Sequence, residues 1–170
     1  MAGLLGEYEC KIDSKGRMRL PSPLLKQLGT EETPSFVINR GLEKCLMLYP
    51  RNVWNQIEEN VNQLNKFSKK NRDFIRFLYR GATEVAPDGQ ERILISKRLM
   101  ESAGITKDVL LISQGDRLEI WDVATYDKLE ESRSMEDFSD VAEEVSKGFI
   151  NSPLNKEIGE SELPKDDQTT

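Results

Sequence analysis

Two stretches of this chain repeat each other at a fixed distance. DSKGRMRLPSPLLKQLG (13–29) and DGQERILISKRLMESAG (88–104) align at an offset of 75 residues. Asp13 matches Asp88, and Arg17 matches Arg92. Met18 and Leu20 match Ile93 and Ile95, Leu24 matches Leu99, and Gly29 matches Gly104. A weaker likeness follows between FVINRGLEKCLMLYP (36–50) and VLLISQGDRLEIWD (109–122), in which Tyr49 pairs with Trp121. Self-similarity at a fixed period constrains the fold more than any composition does. The chain reads as a duplicated module with an Asp-x-x-x-Arg turn in each half.

Within the first copy, residues 7–12 alternate and stop at a Ser-Lys-Gly turn, and 17–20 return as a short strand, which predicts a hairpin. Ser22 and Pro23 look like an N-cap and first helical position, and Gly29 like the residue closing that helix. Strands are expected at 36–39 and 45–49, and a helix from Pro50 in which Val53, Ile57, Val61 and Leu64 recur at spacings of 3 and 4. Phe74, Ile75 and Leu78 mark a further helix. The second copy repeats the plan, with a strand to about 86, a turn at 87–89, a strand at 92–95, a helix at 96–103, and strands at 108–113 and 117–121. A helix near Asp122 and another over about 135–149, on Phe138, Val141, Val145 and Phe149, complete the ordered part. The last twenty residues, NSPLNKEIGESELPKDDQTT, are polar and acidic and read as a disordered tail. The expected division is therefore 6–80, 81–149 and a tail at 150–170.

The composition removes several classes of function. The chain has 170 residues and no histidine, which excludes Ser-His and Cys-His nucleophiles and the commonest zinc ligand. Its two cysteines, Cys10 and Cys45, are 35 residues apart in apolar runs, so they read as small buried hydrophobes. No Gly-rich phosphate loop or ligand cluster is present, so neither an enzyme, a cofactor nor a metal is expected. No apolar run reaches the roughly 20 residues that span a bilayer. The N-terminus lacks the pattern of a signal peptide, and a cytosolic protein is the default.

Charge is distributed unevenly. Residues 1–80 carry 14 Lys+Arg against 9 Asp+Glu, and residues 81–170 carry 10 against 21, within an overall net charge of -6. KIDSKGRMRLP (11–21) alone holds Lys11, Lys15, Arg17 and Arg19. Two readings of this turn stand side by side. In the structural one, Asp13 accepts backbone N–H bonds and pairs with Arg17 across the hairpin. In the functional one, the fixed loop projects a guanidinium able to read the O6 and N7 acceptors of guanine, while Lys11, Lys15 and Arg19 meet phosphates. The second turn has Gln90 for Lys15 and Glu91 for Gly16. It is expected to support the fold or the assembly more than DNA.

The paired turns, the helices that follow them and the strand pairs ending in LMLYP and LEIWD resemble the MraZ family. GEYECKIDSKGRMRLP is similar to that family's opening segment and TKDVLLISQGDRLEIWD to its second strand pair. The likeness covers roughly residues 6 to 130. It implies an α+β fold of two tandem double-split β-α-β modules, the swapped-hairpin type of AbrB-like regulators, with additional helices, forming a pseudo-dimer within one chain. It implies a transcriptional regulator that is cytoplasmic and nucleoid-associated. Such a protein assembles into a closed homo-oligomeric ring and binds direct repeats in double-stranded promoter DNA. Those repeats lie upstream of the division and cell-wall gene cluster that includes its own gene. The motif residues carried over are Asp13 with Lys15, Gly16 and Arg17, then Asp88 and Arg92. Glu91 departs from the pattern, where glycine is usual.

Three readings remain beside these. Trp54 and Trp121 lie in apolar periodic runs and are expected in a core or subunit interface rather than stacked on bases. Lys66, Lys69, Lys70 and Arg72, in FSKKNRDF, read as a solvated linker between helices. The alternative for the whole chain is an oligomeric protein-interaction module that binds DNA only incidentally.

Overall fold

The computed structural model describes residues 3–28 and 34–150, with side chains as far as 148. Gly29 and the expected tail at 151–170 lie outside the described residues. The described residues form two compact units that divide between Lys128 and Leu129.

The first unit contains both copies. Its elements are β1 (Glu7–Lys11), β2 (Arg17–Arg19), α1 (Ser22–Gln27), β3 (Phe36–Arg40), β4 (Leu46–Pro50), α2 (Arg51–Asn62) and α3 (Lys69–Tyr79). The second copy supplies β5 (Thr83–Val85), β6 (Arg92–Leu94), α4 (Lys97–Ser102), β7 (Asp108–Ser113) and β8 (Leu118–Asp122). A six-stranded sheet runs in the order β1-β7-β8-β4-β3-β5, and β2 and β6 form a separate two-stranded ribbon. Every pairing is antiparallel. Exchanging each strand for its counterpart in the other copy simply reverses the sheet order, so the two copies are related by a pseudo-two-fold.

The expected hairpin of β1 with β2 is present only at its turn. Ile12 bridges Met18, and the Asp13 N–H donates to the Arg17 carbonyl at 2.9 Å. Beyond that point the arms part. β1 pairs with β7 of the other copy, with Cys10 opposite Val109, and β2 pairs with β6, with Met18 opposite Ile93. The reason lies in the apolar positions that the copies share. Met18, Leu20 and Leu24 of the first copy and Ile93, Ile95 and Leu99 of the second are each at most 2% exposed. One short hairpin with one short helix has too little apolar surface to fold alone. Interleaving two of them builds one continuous core.

Two local expectations are corrected. Ser22 is the first residue of α1, and the extended Pro21 (ψ 132°) holds the cap position without a side-chain bond. The true capping serine is Ser96, the counterpart of Pro21, whose hydroxyl accepts from the Leu99 N–H at 3.3 Å. The basic FSKKNRDF segment is not a linker, because Lys69, Lys70 and Arg72 lie on α3, which Ser68 caps. Lys69 pairs with Asp73 at 2.8 Å, and the Arg72 guanidinium folds back onto the Lys66 and Phe67 carbonyls at 3.0 and 2.7 Å. Those bonds stabilise a helix start that the charge run alone does not reveal.

The two tryptophans are structural, as the sequence implies. Trp54 and Trp121 are 2% and 3% exposed. Trp54 packs between Tyr49 and Tyr79, with ring centroids 5.4 and 5.9 Å away. Cys45 is buried, and burial pushes its thiol up to about 12.

α5 (Val123–Glu131) continues from β8, and the second unit contains α6 (Met135–Ile150). Ser134 and Asp137 cap α6 reciprocally, at 3.0 and 3.1 Å. This arrangement satisfies two helix-terminal N–H groups that would otherwise be unpaired. Met135, Phe138, Val141 and Val145 recur along one face of α6 and are all exposed.

Candidate nucleic-acid interface

The two repeated turns share the same clamp. Asp13 Oδ1 accepts from the Lys15 N–H at 2.9 Å and from the Arg17 N–H at 3.0 Å, while its Oδ2 accepts from Arg17 Nε at 2.7 Å. Asp88 does the same, with the Gln90 and Arg92 N–H groups both at 2.9 Å and Arg92 Nε at 2.8 Å, and Arg92 Nη2 also lies 2.8 Å from Asp88 Oδ2. The Arg17 and Arg92 N–H groups, first among several donors, hold these carboxyls below their ordinary range. The structural reading of the motif is thus correct, and it does not displace the functional one. The carboxylate that closes the turn also holds Arg17 through Nε. Among the described residues the two Arg17 Nη groups donate no hydrogen bond. They remain available in the planar fork that suits guanine or phosphate.

The ribbon of β2 and β6 presents these turns at its two ends. Antiparallel register sets Arg17 opposite Leu94 and Arg19 opposite Arg92. Met18 and Ile93 point into the core, so Arg17, Arg19, Arg92 and Leu94 share the outer face. Each turn is tied to the other copy, because the Ile95 N–H donates to the Gly16 carbonyl and the Leu20 N–H to the Glu91 carbonyl, both at 2.8 Å. Gly16 has φ +80, and an added Cβ would sit 2.7 Å from the Ile95 carbonyl oxygen. Glycine is therefore required there by both backbone and space.

The ribbon ends differ in their chemistry. At the Gly16 end, Lys11 and Lys15 are exposed and without an ion pair among the described residues. At the other end, Arg19 is engaged. Its Nη2 lies 3.4 Å from Glu91 Oε2, to which the Ser22 hydroxyl also donates at 3.3 Å. Glu91 is the one non-glycine residue with positive φ among the described residues, at +62.

The structure therefore brings Asp13, Lys15, Gly16 and Arg17 together at one end of the ribbon and Asp88, Arg92 and Arg19 at the other. Lys11 closes β1 just before the first turn. Two participants were not singled out from the sequence. Leu94 is 59% exposed beside Arg17. Ser22, expected only as a helix cap, donates to Glu91. The offset alignment sets Leu94 against Arg19, so it conceals the cross-copy pairing that makes Leu94 the neighbour of Arg17. Among the described residues no group of three or more Cys, Asp or Glu side chains could hold a metal ion. No helix among them is long and apolar enough to cross a membrane.

An intrachain pair of intertwined hairpin modules, each closed by an Asp-Arg clamp, defines the structural class: a tandem swapped-hairpin protein. The chain belongs to the MraZ family. The family described as "MraZ protein, putative antitoxin-like" matches it twice in tandem, over residues 4–77 and 78–148. A protein of Flavobacterium psychrophilum named "Transcriptional regulator MraZ" is 44% identical over 146 residues, covering 85% of this chain and 92% of that protein. The protein of the same name from Christiangramia forsetii is 46% identical over 146 residues, covering 85% and 94%. That from Pediococcus pentosaceus is 38% identical over 141 residues, covering 83% and 95%.

Proposed function

We infer that this chain is a transcriptional regulator, not an enzyme, that reads double-stranded DNA in a sequence-specific way through its first turn. The observation that carries the reading is Arg17. It is clamped by Asp13 through Nε, half-buried at the end of a two-stranded ribbon and flanked by exposed, unpaired lysines. A ribbon of this width can enter a major groove. Arg17 then reads guanine, Lys11 and Lys15 contact phosphates, and Arg19, Asp88 and Arg92 shape the rest of the face. The relatives' shared name, "Transcriptional regulator MraZ", supports the same reading.

The finer proposal concerns assembly and target. One turn neutralises few phosphates, so a single subunit binds weakly at cellular salt. A closed homo-oligomeric ring would place several turns on one face, and each bound turn would raise the effective concentration of the next. The exposed apolar stripe of α6 supports an assembling protein. The target we propose is direct repeats upstream of the division and cell-wall gene cluster, including the protein's own gene, bound in the cytoplasm at the nucleoid. The same stripe, with the sequence pI of about 4.9, favours the rival reading of an interaction module with incidental DNA binding.

Fluorescence anisotropy separates the two readings. Wild-type and Arg17→Ala proteins are titrated with the DNA upstream of that cluster and with scrambled DNA, at several salt concentrations. The DNA reading expects tight, salt-sensitive binding to the native fragment. A bidentate guanine contact contributes about 1–3 kcal/mol, so Arg17→Ala should weaken binding by roughly 5- to 150-fold per site with the oligomer intact. Equal binding to both fragments, unaffected by the substitution, refutes it.

A further inference from the structure

We propose that Glu91 breaks the pseudo-two-fold of the ribbon and gives each subunit a fixed direction on DNA. The inference rests on the DNA-reading proposal above and deepens it.

Two copies related by a pseudo-two-fold present two equivalent leading edges. Both turns here have the Asp-Arg clamp, with donor distances that agree within 0.1 Å for each matched bond. Were the remaining residues also alike, the ribbon could dock with either end leading, and it would read a site in either orientation. Direct repeats, in contrast, require every subunit to face the same way.

Glu91 makes the ends inequivalent in three ways. It places a carboxylate where the first turn has only the Gly16 backbone. That carboxylate lies within 3.4 Å of Arg19 and accepts from the Ser22 hydroxyl, so a phosphate approaching Arg19 meets an anion already in place. It also balances the Arg19 and Arg92 guanidinium groups, which the register sets directly opposite each other. Like charges in that relation repel. Asp88 holds Arg92 and Glu91 holds Arg19, so the second end is charge-compensated within the chain.

The backbone adds an independent observation. A left-handed conformation is unfavourable for glutamate, and strained positions of this kind cluster at functional sites. Glycine at 91, as at 16, would adopt φ +62 freely. A charge balance alone could be supplied from a relaxed position elsewhere on the ribbon. Glu91 instead stands at the turn tip, where an incoming phosphate would lie.

The test is a rescue. Wild type, Glu91→Gly, Glu91→Gln, Arg17→Ala and the double variant Arg17→Ala/Glu91→Gly are titrated with the promoter fragment at several salt concentrations. Size exclusion and circular dichroism check the fold of each. Glu91→Gln keeps the shape and removes the charge, so it guards against an effect of glycine on the backbone. With the second end freed, both Glu91 variants should bind about two- to five-fold tighter, the size of one exposed ion pair. Their log-log salt slope should steepen by about 0.9, for one more phosphate contact. Arg17→Ala/Glu91→Gly should recover binding that Arg17→Ala has lost, and adding Arg92→Ala should abolish it again. Arg17-dependent binding by the wild type, with unchanged slopes and no rescue, overturns the role of Glu91 and leaves the DNA reading standing. Wild-type binding that ignores Arg17 removes the DNA reading and this inference with it.

Discussion

Gly16→Ala tests whether the two turns are as different as the structure makes them. At φ +80 an alanine occupies the left-handed region, at a cost of roughly 1–2 kcal/mol. Its Cβ would also stand 2.7 Å from the Ile95 carbonyl oxygen, a backbone atom that cannot swing aside. Relief requires the ribbon to open, which weakens the 2.8 Å bond from the Ile95 N–H to the Gly16 carbonyl. A backbone bond of this kind contributes about 0.5–1.5 kcal/mol net. Together these give about 2–3 kcal/mol. With a urea m-value of about 2 kcal/mol/M, the unfolding midpoint should fall by roughly 1–1.5 M at fixed protein concentration. Gly89→Ala is the control, because its Cβ meets nothing within 4 Å, and it should stay within about 0.5 kcal/mol of wild type. Glu91, at φ +62, shows that the matching position of the second turn accepts a side chain. If Gly16→Ala unfolds at the same urea concentration as Gly89→Ala, the close approach to Ile95 is not a real constraint and the turns are interchangeable.

Further expectations concern the clamp carboxylates and α6. The folded-state values of Asp13 and Asp88 are depressed, so the stability they contribute is present above the unfolded-state value and is lost as pH falls through the lower folded one. Carboxyl-detected NMR should give both a midpoint below that of an ordinary aspartate, and an ordinary or raised midpoint refutes the clamp. Val141→Asp, in the exposed stripe of α6, should lower the mass seen by light scattering while helicity is retained. An unchanged mass means that other surfaces hold the assembly.

Much of the fold was legible because duplication repeats its own evidence. A single DxxxR is uninformative, but Met18/Ile93, Leu20/Ile95 and Leu24/Leu99 occupy matched places in two copies, and all six are core residues. Periodicity places a helix from Pro50 and the repeat places one at 96–103, close to the observed Arg51–Asn62 and Lys97–Ser102. Partnership was not legible. Alternation in residues 7–12 marks a strand but does not say whether it pairs with its neighbour in sequence or with β7, a hundred residues away. Register is decided by which apolar faces can be covered together, a property of both copies at once. The site followed the same rule. The Asp13–Arg17 bond is local, and a four-residue spacing reveals it. The bond from Arg19 to Glu91 spans 72 residues, and Leu94 meets Arg17 only through the cross-copy register.

Duplication also accounts for where the copies diverge. Positions that face the shared core are constrained from both sides, since each residue packs against its counterpart's surroundings, and they differ here only among apolar side chains. Positions on the outer face of the ribbon carry no such constraint. Lys15 against Gln90, Gly16 against Glu91 and Arg19 against Leu94 are changes of charge, backbone freedom or polarity at matched sites. The fold tolerates each of them, at the cost of one left-handed glutamate. A symmetric scaffold with an asymmetric outer face is what a protein requires if its two halves must fold as equals and meet their partner as unequals.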